Sequence, residues 1–106
     1  MPLEDYLMPA EQIKFQSSDS VRYGEKSYRV VVTDRRIILY ARRGSLFKND
    51  DVISQKLDEL EALKFSEQGL LVRKGLLRIQ TAKTEMQLLG PLPQIKVLYQ
   101  QMMQFL

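Results

Sequence analysis

The amino-acid sequence predicts a mainly β fold: a curled antiparallel sheet of six or seven strands, followed by one C-terminal amphipathic helix. Runs rich in β-branched and aromatic residues, separated by turn residues, fill most of the chain. An apolar stripe at helical spacing occupies its end. A chain of 106 residues can bury one core and not two. We therefore expect a single domain over residues 1–106, with strands within about residues 10–89 and the helix over about residues 92–106.

The first strands alternate or are β-branched, and short turns separate them. Ile13, Phe15 and Ser17 alternate with polar residues, which is typical of a half-buried strand. A turn is expected around Gly24. Residues 27–33 and 36–42 are two β runs with only two residues between them, which predicts a tight hairpin. A further turn is expected at residues 43–45.

The segment of residues 52–65 has two interpretations. Its apolar residues are spaced four, three and three apart, at Ile53, Leu57, Leu60 and Leu63. Locally this pattern indicates an amphipathic helix with Asp51 as its N-cap. The alternative is two short strands that meet at a bend near Asp58 and Glu59.

The last third predicts a hairpin and then the helix. Residues 76–81 and 84–89 are strands joined by a turn at Ala82 and Lys83, and Gly90 and Pro91 end the second strand. Pro93 suits the first turn of a helix, where a missing N–H is harmless. The apolar stripe of that helix comprises Ile95, Leu98, Tyr99, Met102, Phe105 and Leu106. This stripe can close the open mouth of a small curled sheet.

Four segments in this order resemble a known family. They are LMPAEQI at residues 7–13, YRVVVTDRRIILY at 28–40, LDELEALKF at 57–65 and LLRIQTAK at 76–83. Together the chain resembles bacterial-type pleckstrin-homology (PH-like or GRAM-like) domains. The resemblance implies a seven-stranded, strongly bent barrel capped by a C-terminal helix, and it favours strands over a helix for residues 52–65. It implies binding or assembly rather than a reaction, since this fold hosts many kinds of recognition.

Composition excludes several kinds of active site. The chain has no Cys and no His, so disulfides, thiol nucleophiles, cysteine metal sites and Ser–His–Asp triads are ruled out. Neighbouring carboxylates occur at Asp50 and Asp51 and at Glu59 and Glu61, where solvated turn or cap residues are the simpler interpretation. Glycine-rich phosphate loops are absent from the sequence. We expect no enzyme activity, no cofactor and no metal.

Basic residues suggest two interpretations of the surface. Arg36 is expected to be structural, as the resemblance implies, with Asp34 accepting hydrogen bonds from turn N–H groups. If the sheet is an up-and-down meander, the first-to-second and third-to-fourth strand turns meet at one end and bring together Arg22, Lys26, Arg42, Arg43 and Lys48. The resemblance implies that the sixth-to-seventh turn, which carries Lys83, lies near the same end, so the six cations would form an anion-facing rim. The simpler alternative is that exposed loops are charged in any case, with nearby carboxylates offsetting the cations.

The C-terminal helix offers a second surface. Met103 and Leu106 extend the apolar character beyond one face, which predicts contact with a partner or merely a wide core stripe. The leading hypothesis is a protein-binding or self-associating module that uses the barrel edge and this helix. The alternative is docking on an anionic membrane or a phosphate-bearing ligand through the rim. Nucleic acid is not favoured, because few aromatic residues lie among the basic ones.

The expected location is the cytoplasm. If the rim binds anionic lipid, the protein would be attached peripherally to the membrane. The net charge is +3, from 16 Lys and Arg against 13 Asp and Glu. The first residues are acidic and lack the basic start of a signal peptide.

Overall fold

A computed structural model describes residues 6–17, 19–43 and 49–105, apart from the side chain of Arg43. These residues form eight strands, one 3-10 turn and one helix. The strands are β1 (Ile13–Gln16), β2 (Val21–Tyr23), β3 (Lys26–Thr33), β4 (Arg36–Arg43), β5 (Asn49–Lys56), β6 (Leu60–Gln68), β7 (Lys74–Thr81) and β8 (Glu85–Pro91). The 3-10 turn is Leu57–Glu59, and the helix α1 is Leu92–Met103. The predicted mainly β fold with one C-terminal helix is confirmed.

The strands form one antiparallel sheet that bends on itself without closing. Its order is β5-β4-β3-β2-β8-β7-β6, and β1 also pairs with β3. The sheet therefore has β5 at one end of the order and β6 at the other, although the two strands follow each other along the chain. This arrangement agrees with the strongly bent barrel that the resemblance implied, with its opening between β5 and β6.

The predicted first strand is divided in two, which gives eight strands where seven were expected. β1 pairs with the end of β3, and β2 pairs with its start. Between them, Ser17 takes over part of the pairing, because its N–H donates to the Val30 carbonyl and its Oγ accepts from the Val30 N–H at 2.9 Å. A register shift between Ile13 and Phe15 leaves Ile13 exposed, contrary to the predicted alternation.

The first two predicted turns are present. Gly24 has φ +66° in the β2–β3 turn, a conformation that glycine adopts at no steric cost. In the β3–β4 hairpin, Thr33 Oγ1 accepts from the N–H groups of Arg35 and Arg36 at 3.1 and 3.0 Å. The prediction that Asp34 accepts from local turn N–H groups is wrong. Its Oδ1 accepts from the N–H of Gln12, 22 residues away, at 3.0 Å.

Residues 52–65 are strands, so the helical interpretation of their spacing is wrong. β5 ends at Lys56, the chain bends through Leu57–Glu59, and β6 begins at Leu60, which places the bend at the predicted Asp58 and Glu59. Leu57 is buried, and its N–H donates to the Arg35 carbonyl at 2.9 Å. The tertiary hydrogen bond and the pairing of both flanking strands outweigh the local helical pattern. Asp51, the proposed N-cap, lies within β5.

The core lies between the inner face of the sheet and α1. Ile95, Leu98 and Met102 are fully buried on the helix, as the apolar stripe predicted. The helix packs closely on β7, where a Cβ added at Gly75 would lie 2.6 Å from Ile95 Cβ. On the sheet side, the fully buried large residues of this core are Val21, Val30, Val32, Ile37, Leu39, Leu77, Ile79 and Leu88. The described part of the chain contains no helix of the length and apolar character that crossing a bilayer requires.

Candidate functional site

A buried ion pair joins the entry segment to the β3–β4 hairpin. The Glu11 side chain is fully buried, and that of Arg36 is 15% exposed. Glu11 Oε2 accepts from Arg36 Nε at 3.0 Å and from Thr33 Oγ1 at 2.6 Å. Glu11 Oε1 accepts from Arg36 Nη2 at 3.1 Å and from the Met8 N–H at 2.9 Å. Such two-point contact between guanidinium and carboxylate fixes the relative position of the two segments.

The environment of Glu11 keeps its carboxylate ionised. Burial by itself raises the pKa, but hydrogen bonds from Arg36, Thr33 and the Met8 N–H, together with the charge of Arg36, outweigh it. The pKa of Glu11 falls from its ordinary value of 4.5 to about 2. Arg36 is further held by Ser54 Oγ at 3.1 Å and by the Tyr6 carbonyl. The expected structural role of Arg36 agrees with these contacts, since they join the entry segment to β4 and β5.

A cavity of about 760 Å³ lies next to this ion pair. Met8, Leu57 and Phe105 supply apolar surface there, so the cavity joins the entry segment, the 3-10 turn and the end of the helix. Arg35 and Lys56 line it together with acidic groups. Both cations and carboxylates line the cavity, and their charges select neither an anion nor a cation.

Three residues of the predicted rim belong to β4 and the loop that follows it, and the structure describes this part incompletely. Arg42 lies with its Nε 3.9 Å from Asp50 Oδ1, so a carboxylate offsets part of its charge. The side chain of Arg43 and the whole of Lys48 lie outside the described residues. This half of the rim stays a prediction.

The remaining rim residues are exposed but lie in different surroundings. Lys26 follows the β2–β3 turn, and Lys83 lies in the β7–β8 turn. Lys83 shares a cleft with the carboxylates of the 3-10 turn and the start of β6, which are Asp58, Glu59 and Glu61. Arg22 lines a separate cleft together with Arg73 and Lys74. The charged residues that line the cleft at Arg22 are all cations, whereas three carboxylates line the cleft at Lys83.

The carboxylates weighed as catalytic candidates have separate partners. Asp50 Oδ2 accepts from the Tyr6 hydroxyl at 2.7 Å, and Asp51 Oδ2 accepts from the Tyr28 hydroxyl at 2.9 Å. Glu59 Oε2 accepts from Gln55 Nε2 at 3.2 Å. Within residues 6–17, 19–43 and 49–105, no group of three or more acidic side chains is placed to hold a metal ion.

An apolar loop tip is the feature that sequence reasoning missed. Leu70, Leu71 and Val72, in the loop between β6 and β7, are 99%, 98% and 71% exposed. The sequence does indicate this feature, because three consecutive aliphatic residues lie between Gly69 and the basic pair Arg73 and Lys74. A loop at the surface with this composition is unusual, because exposed loops are mostly polar.

The helix and the sheet edges present further apolar and unpaired surface. On α1, Met103 is 46% exposed and Val97 is 40% exposed, while Leu106 lies outside the described residues. Among the described residues, β6 pairs with β7 alone and β5 pairs with β4 alone. The predicted contact at Met103 is therefore open to a partner, and both sheet edges have backbone groups that no described strand pairs.

Comparison with known proteins identifies the family. Residues 7–90 match the model of the family described as "Bacterial PH domain", which leaves α1 beyond the match. No curated protein and no solved structure matches the chain significantly. PH domains generally act as modules that bind proteins or lipids, and they are generally not catalytic. The chain belongs to the bacterial PH domain family.

Proposed function

We propose that the chain is a protein-recognition module and that its partner is a second copy of itself, bound through the open edge of the barrel and α1. One observation carries the proposal: β6 is nine residues long and is hydrogen-bonded, within the described residues, on one side only. An edge strand of this length presents a row of unpaired N–H and C=O groups, to which another strand can add.

The side chains of β6 are consistent with a covered edge. Leu63 and Phe65 pack against the core and are only partly buried. A strand added beside them would remove more of their apolar surface from water, which favours association. Because β5 and β6 are both edge strands of one molecule, each copy brings two edges to such an interface.

The helix extends the same surface. Phe65 on β6 stacks on Tyr99 of α1, with ring centroids 5.5 Å apart and planes inclined by 16°. Met103 lies four residues after Tyr99, so the two share one face of the helix. The face of β6, Tyr99 and Met103 can therefore belong to one interface. Val97 lies on another side, in a cleft with Phe15.

Sedimentation velocity over about a hundredfold range of concentration tests this proposal, because self-association follows protomer concentration. We expect the wild-type chain to form a larger particle as concentration rises. Met103→Glu should shift that equilibrium toward the single chain, since it places a charge in the apolar interface. Val97→Glu, which alters an equally exposed side chain on another face, should behave like the wild type. A single chain at every concentration would rule out the second copy as partner.

Docking on an anionic surface is the second candidate function. It is supported by the basic cleft of Arg22, Arg73 and Lys74, which lies beside the exposed loop tip. The contact could instead be made by the predicted rim, and the double substitution Arg42→Glu/Arg43→Glu tests this alternative. If the rim makes the contact, the double substitution should abolish salt-sensitive binding to anionic vesicles.

A further inference from the structure

We propose that the β6–β7 loop (residues 69–73) inserts Leu70 and Leu71 into the headgroup region of an anionic bilayer. This inference rests on the second candidate function and gives it a contact surface that shares only Arg22 with the predicted rim. It is independent of the proposed contact between two copies, which uses β6, Tyr99 and Met103.

The loop projects as a short, closed turn. β6 and β7 stay paired as far as Gln68 and Lys74, so only five residues connect the two strands. Gly69 has φ +99°, and a Cβ there would lie 2.1 Å from the Val72 carbonyl oxygen. Only glycine fits this backbone without a shift. The turn therefore folds back on itself and leaves the side chains of Leu70 and Leu71 pointing away from the protein, 99% and 98% exposed.

Basic side chains lie directly behind the apolar tip. Arg73 and Lys74 follow Val72 in the chain, and Arg22 on β2 lines the same cleft. One carboxylate offsets part of this charge, because Arg73 Nη1 lies 2.8 Å from Glu67 Oε2. The arrangement places aliphatic groups outermost and an excess of cations one layer behind them.

An anionic bilayer matches this order of groups. Aliphatic side chains gain by leaving water at the boundary between headgroups and acyl chains, and Lys and Arg behind them are attracted to anionic headgroups. A convex tip of three apolar residues needs a matching pocket to bind a protein, whereas a fluid bilayer adapts to its shape. Because a short apolar anchor alone gives only marginal membrane binding, the cations are expected to be necessary as well. Binding should be reversible and should weaken as salt rises.

We expect substitution of the tip to leave the fold intact. Leu70 and Leu71 are almost completely exposed, so replacing them with serine removes little packing. Loss of vesicle binding in Leu70→Ser/Leu71→Ser can therefore be assigned to the tip once circular dichroism shows an unchanged fold. This distinguishes the tip from core positions, where the same change would unfold the domain.

A single-tryptophan probe locates the contact. The chain has no Trp, so Leu71→Trp reports on position 71 without background from other tryptophans. With vesicles of phosphatidylcholine and phosphatidylserine, we expect its emission to shift to the blue. With phosphatidylcholine alone the shift should be absent or much smaller. Ile13→Trp, at an exposed position that pairs with Thr33 beside the β3–β4 turn, is the matched control and should show no shift.

Co-sedimentation with the same vesicles measures affinity. We expect Leu70→Ser/Leu71→Ser to weaken binding at least about tenfold, and Lys74→Glu to weaken it at low salt more than at moderate salt. Lys56→Glu makes the same change in charge at an exposed position at the end of β5, beside the β3–β4 turn, and should leave binding unchanged.

Three results would overturn the inference, and they are distinguishable. Vesicle binding that survives Leu70→Ser/Leu71→Ser but is lost in Arg42→Glu/Arg43→Glu would refute the tip and keep the membrane function at the rim. No binding of the wild-type chain to anionic vesicles would refute both the insertion of the tip and the proposed docking on an anionic surface. A loop variant that abolishes self-association in the absence of lipid would show that the tip contacts a second copy and not a bilayer.

Discussion

Replacing Glu11 by Gln tests the buried ion pair that ties the entry segment to the β3–β4 hairpin. The substitution keeps the size of the side chain but removes its charge. It leaves the Arg36 guanidinium, 15% exposed, without its carboxylate partner, and it disturbs the short bond from Thr33. Breaking one partner of a buried pair is costly because the other charge remains in a poorly solvated site.

The pKa of Glu11 sets the expected magnitude. Its fall from 4.5 to about 2 means that the folded state favours the ionised form, by about 3 kcal/mol at neutral pH. Because the folded pKa lies below the unfolded one, this stabilisation is fully present above pH 4.5 and is lost as the pH falls toward about 2. At neutral pH we expect Glu11→Gln to lower the free energy of unfolding by about 3 kcal/mol and Tm by more than about 10 °C.

Urea denaturation measures the free energy of unfolding of both proteins, first at neutral pH and then at a series of acid pH values. The difference between the wild type and Glu11→Gln should be largest at neutral pH and should shrink as the pH falls through the window below 4.5. Glu25→Gln, which alters an exposed carboxylate at the β2–β3 turn, is the control and should match the wild type closely. A loss of less than about 0.5 kcal/mol in Glu11→Gln, or a difference independent of pH, would refute the reasoning.

The remaining predictions concern the core and the helix. Ile37→Asp and Leu98→Asp each place an unpaired charge at a fully buried position, and thermal melting should show each domain unfolded or strongly destabilised; a variant with an unchanged Tm would remove that residue from the core. Gly75→Ala should destabilise the domain by about 1–3 kcal/mol in urea, because the new Cβ meets Ile95 Cβ at 2.6 Å and pushes the helix off β7; unaltered stability would mean that the helix shifts without cost. The far-UV circular dichroism spectrum should show one helix of about 12 residues, and twice that helix content would contradict the strand assignment of residues 49–68.

Much of the fold followed from local patterns in the sequence. The two-residue connection after Thr33 and the glycine turn at Gly24 both predicted hairpins that the structure contains. The stripe from Ile95 to Met102 predicted the buried face of α1. These predictions succeed because short turns and periodic apolar faces depend mainly on neighbouring residues.

Other features depended on contacts between distant parts of the chain. The helical spacing of residues 52–65 would have misled a purely local interpretation, since strand pairing with β4 and β7 decides their structure. Thr33, and not Asp34, accepts from the turn N–H groups, because the Asp34 carboxylate is engaged by Gln12. The division of the first strand at Ser17 likewise depends on Val30.

The candidate surfaces were predicted less completely than the fold. Met103 is exposed, and its contact with a partner stays a prediction. The grouping of cations depends on the bend of the sheet, which the sequence does not specify. Arg22 lies beside Arg73 and Lys74, and these two were not among the predicted rim residues. The exposed tip at Leu70 and Leu71 was overlooked because apolar residues next to a strand are ordinarily assigned to the core.

Amide hydrogen exchange along β6, measured at low and high protein concentration, tests the proposed function most directly. If a second copy adds to this edge, the amides of Leu60–Gln68 that point away from β7 should exchange more slowly at high concentration, while those of β3 at the centre of the sheet should not change. Identical exchange of β6 at both concentrations would contradict recognition of a second copy through the open edge.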